Sequence, residues 1–218
     1  VIYGIKSVRS FLEFAKTLPI ESKGLRKMNY SEIIQKTQAY CFKYHLSEKD
    51  AIDIIKRKSL FIFYNQIPVS IKFNPTDTEI SNNPFAIIGS ETTRFETIGS
   101  IKIIAEVVST DWQYYYPALV FIKTLDVLES NTLSTVESMS DENQSKNNNF
   151  TITRLVIFEQ ELSGFLEKGD KIEIYGLWQF AFNVPDETRV FPQLGLKNTM
   201  QITLGTKELQ GKEYIRFV

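Results

Sequence analysis

Residues 150–177, FTITRLVIFEQELSGFLEKGDKIEIYGL, contain two apolar segments joined by a short connection. Both segments are rich in Ile, Val, Phe and Leu, a composition that predicts β-strands. Gly169 and Asp170 predict a tight turn before the second strand, because glycine accepts a positive φ and aspartate bonds neighbouring amides. Gly176 lies inside the second strand and indicates a bulge or a close backbone approach. The stretch therefore predicts two strands of an antiparallel sheet.

Similar segments lie on both sides of this stretch. Five predicted strands share a β-branched and aromatic composition and are separated by turns or polar loops: 101–108, 117–128, 150–159, 170–182 and 199–204. Because no long helix lies between them, the pattern predicts a small antiparallel barrel or sandwich. Residues 129–149 are rich in Ser and Asn and poor in large apolar groups, so we expect a polar insertion loop there.

The first 60 residues have a helical periodicity instead. Apolar residues recur at helical spacing after a possible cap at Ser7 and again after Asn29 or Ser31. A third helix is predicted from the SEKD sequence at Ser47, a capping-box pattern, to about Lys58. The predicted fold class is α+β, with three regions: a small N-terminal helical lobe (1–60), a connecting strand and loop segment (61–97), and an OB-fold-like antiparallel β-barrel (98–218) that carries the insertion loop (129–149).

Charge is divided unevenly between these regions. The net charge of the chain is -1, but residues 1–60 hold 12 Lys and Arg against 6 acidic residues. A basic lobe is compatible with contacts to duplex phosphates. The alternative is simpler: Lys56, Arg57 and Lys58 oppose the dipole of the third helix, and residues 23–27 form a solvated turn.

Several classes of chemistry find no support in the sequence. There is no Walker A loop, no G-x-S-x-G and no H-E-x-x-H motif. Cys41 and His45 lie four residues apart on one predicted helix, but no other Cys or His exists to complete a metal site, so a packing role is favoured. No run of 18 apolar residues is present, which excludes a membrane-spanning helix from the prediction. We predict no catalytic residues, metal or cofactor in this chain.

The order of elements resembles the N-terminal region of the minichromosome maintenance (MCM) replicative helicases, in which a helical lobe precedes an OB-fold. Residues 98–108, IGSIKIIAEVV, resemble an early barrel strand of that family. Residues 112–117 stand where the family has a polar turn with a proline. Residues 154–162 followed by 167–172 resemble the family's run of a strand, an acidic turn and a Gly-Asp strand start.

The resemblance implies a non-catalytic region of a longer chain that binds DNA, most simply single-stranded DNA, and assembles into a homo-oligomeric ring inside the cell, in the cytoplasm or the nucleus. ATP and Mg²⁺ are implied only for a motor domain outside this chain. The sequence departs from the family's pattern at two places. Residues 129–149 stand in place of the family's zinc subdomain and contain no Cys or His. The hairpin at 179–197 has few basic residues to point into a channel.

An OB-fold binds a single strand through stacking aromatic side chains and a basic track for the phosphates. The sequence candidates for these roles are Lys102, Trp112, Tyr114, Tyr115, Lys123, Arg154, Trp178, Arg189 and Lys197. The aromatic candidates are equally suited to a barrel interior. Because three consecutive tyrosines, 114–116, cannot all point inward, we expect at least one to face solvent or a partner.

Two alternatives remain open at this point. The chain could be a stand-alone OB protein that binds single-stranded nucleic acid. It could also be an OB module for protein interaction, which the near-neutral pI of about 6.0 allows. No membrane partner is predicted in any of these cases.

Overall fold

The computed structural model describes residues 1–58, 61–69, 71–82, 94–133, 152–185, 196–209 and 211–218. In these ranges the chain is α+β, as predicted. The helices are α1 (Ile5–Thr17), α2 (Tyr30–Tyr44), α3 (Glu48–Arg57) and α4 (Asp77–Asn82), with one 3-10 helix (Gln160–Leu162). The strands are β1 (Ile2–Tyr3), β2 (Leu25–Lys27), β3 (Ile62–Tyr64), β4 (Ile67–Val69), β5 (Phe73–Asn74), β6 (Arg94–Trp112), β7 (Ala118–Thr132), β8 (Ile152–Ile157), β9 (Lys171–Pro185), β10 (Leu196–Leu204) and β11 (Tyr214–Phe217).

The three helices of the lobe begin where local capping or a distant carboxylate satisfies their first amides. The Asn29 side chain caps α2 through the Glu32 amide, and the Ser47 side chain caps α3, as predicted. The predicted cap of α1 at Ser7 is wrong. This helix begins after Gly4, and the Ile5 amide donates to the Glu79 carboxylate at 2.8 Å. An acceptor more than 70 residues away in sequence thus replaces the local cap.

The main sheet has the strand order β10-β8-β7-β6-β9-β11, and β10 also pairs with β9. The pairings of β6, β7, β8, β10 and β9 therefore form a closed cycle. All of them are antiparallel except that of β8 with β10, which is parallel. These are the five strands that the sequence predicts, each with somewhat different bounds.

One boundary prediction is wrong. Residues 129–132 belong to β7 rather than to the insertion loop, since Glu129 pairs with Lys102 and Thr132 with Gly99 of β6. The ladder hydrogen bonds offered by the long β6 outweigh the polar composition of this segment. The rest of the predicted loop that follows residue 133 lies outside the described residues.

The lobe and the main sheet share one hydrophobic core. Tyr40 and Tyr44 of α2 and Ile54 of α3 belong to the same buried cluster as Ile101 of β6 and Ile174 of β9. The 3-10 helix contributes Leu162 to this cluster. The helices are therefore packed onto the sheet rather than held beside it by polar contacts alone.

Two small sheets connect the segments on either side of residue 60. β1 pairs with β5 in parallel, and β2, β3 and β4 form an antiparallel sheet. Each sheet joins a strand of the predicted lobe to the predicted connecting segment. The domain bounds at residues 60 and 97 stay predictions.

Gly176 confirms the close backbone approach expected from the sequence. A Cβ at this position would lie 2.6 Å from side-chain atoms of Ile202 and Leu204 and 2.9 Å from the Thr203 carbonyl oxygen. Only a residue without a side chain lets β9 lie this close to β10.

We expect Gly176→Ala to lower the free energy of unfolding by about 1–3 kcal/mol, the usual cost of forcing an extra carbon into a packed core. Urea denaturation of the two proteins measures the difference. Gly24→Ala is the matched control, because the nearest atom to its new Cβ would be the Ser22 hydroxyl at 3.6 Å. Equal stability of Gly176→Ala and wild type would contradict the close approach.

Candidate nucleic-acid interface

The outward face of β7 and β8, defined by the side chains that point away from the shared core, carries both aromatic and basic groups. Phe121 lies opposite Arg154, and Leu119 lies opposite Val156 in the β7–β8 pairing. Alternation along each strand places Lys123 and Phe158 on the same face. Lys123 is exposed and Phe121 is half-buried. Leu119 and Val156 are buried, at 0% and 2% exposed, so the accessible part of this face consists of the half-buried Phe121 and the exposed Lys123.

An exposed aromatic pair lies at the other end of this face. The rings of Tyr116, which precedes β7, and Phe158, which follows β8, meet edge to face with centroids 6.1 Å apart. Tyr116 is 62% exposed and Phe158 is 44% exposed. Large aromatic side chains with this much accessible surface can stack on bases. We call Tyr116 and Phe158 the aromatic pair.

Polar side chains of β9 and β10 lie next to Arg154 on the same face, and those of Gln201 and Thr203 are buried. Gln201 of β10 lies opposite Arg154 of β8 and donates to the side chains of Gln179 at 3.3 Å and Thr203 at 3.1 Å. The Thr203 hydroxyl donates to Gln179 at 2.6 Å. Arg154, a sequence candidate, shares this face but is only 1% exposed. Its guanidinium is therefore not presented to solvent as a phosphate contact would require.

Three of the aromatic candidates pack against the lobe instead of joining the face. Tyr115 is buried in a cluster with α1, and Trp112 and Tyr114 pack on the same cluster. The Tyr114 ring meets the Phe73 ring at 6.0 Å, and the Tyr115 hydroxyl lies 3.4 Å from the Glu79 carboxylate. These residues attach the turn between β6 and β7 to α1. The fourth aromatic candidate, Trp178, is buried in the shared core.

The remaining basic candidates are dispersed. Lys102 of β6 donates to Glu129 at 2.8 Å, and its Nζ lies 4.0 Å from the Glu173 carboxylate. The hydrogen bond with Glu129 raises the pKa of Lys102. Arg189 lies outside the described residues. Lys197 belongs to β10, where its backbone lies opposite Val184. Of the nine sequence candidates, Lys123 and Arg154 are the two that the structure brings together with the aromatic pair on one face.

The lobe's basic residues contact the acidic groups of the main sheet. Arg57 donates to both carboxylate oxygens of Asp170, at 2.9 and 2.8 Å, and its guanidinium lies 4.1 Å from the Phe217 ring centre. Lys36 and Lys43 donate to the Glu161 carboxylate at 2.6 and 2.8 Å. These cations therefore attach the lobe to the sheet, which leaves them less available for phosphates.

Lys58 at the end of α3 is buried in the joint between lobe and sheet. Its ammonium donates to the carbonyl oxygens of Gln160 at 3.0 Å and Glu161 at 2.7 Å, and it lies 3.4 Å from the Tyr40 hydroxyl. Burial lowers the pKa of Lys58 to about 7.

The pKa of Glu161 shifts in the direction that favours its charged form. Burial acts to raise this pKa, but hydrogen bonds from Lys36, Lys43 and Tyr44 outweigh the effect of burial and lower the pKa to about 2.

A cleft of about 380 Å³ lies between α1, the end of α3 and the turns of the main sheet. Three cations line it, and each has an acidic partner: Arg9 with Asp111, Lys16 with Glu13, and Arg57 with Asp170. The cleft has no surplus positive charge, so it is a poorer phosphate site than the exposed ammonium of Lys123.

Comparison of this chain with known proteins identified no relative. No protein-family model, no curated protein and no solved structure matches this chain. No helix within the described ranges is long and apolar enough to cross a membrane. Among the same residues, no group of three His, Cys, Asp or Glu side chains is placed to hold a metal ion.

Sequence reasoning singles out the tyrosine run 114–116, which contains Tyr116, but does not select Phe158. The run of three tyrosines indicated that at least one is exposed, which Tyr116 confirms, but its sequence does not say which one. Phe158 ends an apolar strand and therefore has the same pattern as a core residue. Phe121 was missed for the same reason, since it lies in the middle of a predicted strand.

The buried Lys58 predicts a specific pH dependence of stability. The group titrates near pH 7 in the native state and near its ordinary value of 10.5 when unfolded. Between these values the unfolded chain binds more protons, so the free energy of unfolding rises with pH, by up to about 1.4 kcal/mol per pH unit. Below pH 7 both states carry the proton and this dependence ends.

Urea denaturation at pH 6, 7, 8 and 9 tests this dependence with Lys58→Met. We expect the stability of wild type relative to the variant to be constant from pH 6 to pH 7 and to increase by about 1–3 kcal/mol from pH 7 to pH 9. Lys49→Met, at an exposed position of α3, provides the control and shows no such trend. A Lys58→Met difference that is flat from pH 7 to 9 would contradict the buried, neutralised amine.

Proposed function

We propose that strands β6–β10 form an OB-fold whose β7–β8 face binds single-stranded DNA. The observation that carries the proposal is the closed cycle of pairings β6-β7-β8-β10-β9, in which β8 and β10 are parallel. An OB-fold is a five-stranded Greek-key barrel that binds oligonucleotides on its second and third strands and the adjoining loops. In chain order, β7 and β8 are the second and third of the five strands.

The chemistry of this face fits a single strand. The aromatic pair offers ring surface on which bases stack without sequence preference, and Tyr116 lies in the loop between the first and second strands. Lys123 lies four residues along β7 from Leu119, about 14 Å at the rise of a strand. This spacing lets a cation contact a phosphate while bases contact the rings. Phe121 is half-buried on the same strand, next but one to Lys123.

The wider proposal is that the chain is the non-catalytic N-terminal region of an MCM-like replicative helicase. The α1–α3 lobe followed by the β-rich region supports it, because the resemblance implies the same order of elements. Under this proposal the chain supplies DNA binding and ring assembly. ATP and Mg²⁺ belong to a motor domain outside the chain.

Fluorescence anisotropy with a labelled oligothymidylate tests the binding face. We expect Tyr116→Ala and Phe158→Ala each to weaken binding by about 5- to 100-fold, since a stacked base is worth about 1–3 kcal/mol. Lys123→Ala is expected to reduce the slope of log affinity against log salt by about 0.7, the contribution of one phosphate contact on a single strand.

Phe42→Ala is the matched control for these variants, since Phe42 on α2 is 87% exposed and lies off the face. Its affinity should equal that of wild type. No binding by wild type at low salt would reject the proposed function. Wild-type binding that survives both aromatic substitutions would retain DNA binding and reject this face.

The proposed assembly of the chain into a ring is tested by measuring its mass in solution. Light scattering on the purified chain, with and without oligothymidylate, gives the mass of the species in solution, and the resemblance implies a hexamer of the 25.2 kDa chain. We expect the single strand to shift the chain toward the hexamer, because a ligand that binds across subunits stabilises their assembly. A strict monomer at high concentration under both conditions would contradict assembly by this chain.

A further inference from the structure

We infer that the helical lobe positions the aromatic pair, with Glu161 as the positioning residue that couples the docking of α2 and α3 to Phe158. The inference rests on the proposed function, because it concerns the surface to which the single strand would bind. It goes beyond that function by assigning the lobe a regulatory role: docking of the lobe and binding of DNA are coupled.

Glu161 is held by the lobe from several directions at once. Its carboxylate accepts hydrogen bonds from Lys36 at 2.6 Å, Lys43 at 2.8 Å and the Tyr44 hydroxyl at 2.9 Å. Its backbone carbonyl accepts from the Tyr40 hydroxyl at 2.9 Å and from Lys58 at 2.7 Å. Five groups of α2 and α3 therefore fix both the side chain and the backbone of a single residue.

The connection from Glu161 to Phe158 is short and constrained. Only Glu159 and Gln160 lie between them, so the two residues are at most about 11 Å apart. Lys43 bridges this segment, because it donates to Glu159 at 3.3 Å as well as to Glu161. The lobe thus contacts the residue directly after the aromatic ring.

The opposite side of this segment is held by β10. The Phe158 amide donates to the Leu204 carbonyl oxygen at 2.9 Å. A Cβ on Gly205 would lie only 2.6 Å from the Glu159 nitrogen, so the Gly205 backbone packs directly on this segment. With the lobe on one side and β10 on the other, the segment has little freedom to shift. Undocking of the lobe removes one of the two constraints on the Phe158 ring.

Coupling of this kind is reciprocal by linkage. If docking of the lobe raises the affinity for a single strand, the single strand raises the stability of the docked lobe by the same factor. Binding should therefore slow amide hydrogen exchange in α2 and in residues 160–162, although none of these residues lies on the proposed face. Because any ligand of the native state slows exchange that requires global unfolding, the coupling predicts a larger slowing in α2 and residues 160–162 than in β11.

A double-mutant cycle tests the inference. We expect Glu161→Gln to weaken oligothymidylate binding by about 3- to 10-fold, within the range of couplings carried by packed networks. In a Phe158→Ala background the same substitution should change affinity by less than about 1.5-fold, because the group through which it acts is gone. Lys43→Met, which removes the bridge from the lobe without altering the sheet, should reproduce the behaviour of Glu161→Gln.

Glu173→Gln is the matched control. Glu173 is a buried carboxylate on β9 that accepts hydrogen bonds from Tyr214 at 2.6 Å and Arg216 at 2.8 Å, and among the described residues its hydrogen bonds and ion pairs are made with the sheet rather than with a helix of the lobe. Its substitution perturbs the fold without reaching Phe158. DNA affinity that falls as much in Glu173→Gln as in Glu161→Gln would overturn the inference.

The outcomes separate this inference from the proposed function. Wild type that binds the oligonucleotide, with Glu161→Gln acting equally in both backgrounds or not at all, overturns the inference alone. Wild type that does not bind overturns the proposed function and the coupling to DNA. The positioning of Phe158 is then decided by its ring NMR signal, which must move in Glu161→Gln and Lys43→Met but not in Glu173→Gln. An unmoved ring signal overturns the positioning as well.

Discussion

The parallel pairing of β8 with β10 is the contact on which the rest of the structure depends. It joins two strands that are separated in sequence by the 3-10 helix and the whole of β9, and it closes the cycle of strand pairings. Parallel neighbours require a crossover connection, and here that connection presents Glu161 to the lobe. The connection made necessary by this pairing thus carries the residue to which α2 and α3 attach.

The fold was predictable where the pattern is local. Helical periodicity and strand composition predict α1–α3 and β6–β10. Gly176 predicts a close backbone approach, which the structure confirms. The errors come from interactions between distant residues. Glu79 determines the start of α1, and the long β6 recruits residues 129–132 into β7 against their composition. A sequence pattern around Ile5 or around residues 129–132 does not include Glu79 or β6, the distant groups that decide these two structures.

The candidate site was predictable only by residue type. The sequence predicts that aromatic rings and cations of the β-rich region form the site, but which of these rings are exposed depends on tertiary packing. α1 and Phe73 bury Tyr115 and part of Tyr114, which leaves Tyr116 as the exposed member of the run. Strand parity could have found Phe158, because it shares a face with Arg154, but an apolar residue at a strand end has no polar neighbour to distinguish it from core.

The positive charge of residues 1–60 forms ion pairs that attach the lobe to the β-rich region. These ion pairs affect where nucleic acid can bind. The cations of the lobe find their partners on the acidic sheet, as Arg57 does with Asp170 and Lys43 with Glu161. Exposed ion pairs contribute little stability, but the pairs around Glu161 are partly buried and act together with the shared core. Because these cations already face carboxylates, a phosphate would have to displace a partner to reach them. Lys123 is exposed and forms no ion pair in the part of the chain that the structure describes, although Glu106 lies opposite it in the β6–β7 pairing. Its ammonium is therefore more accessible to a phosphate than the paired cations of the lobe.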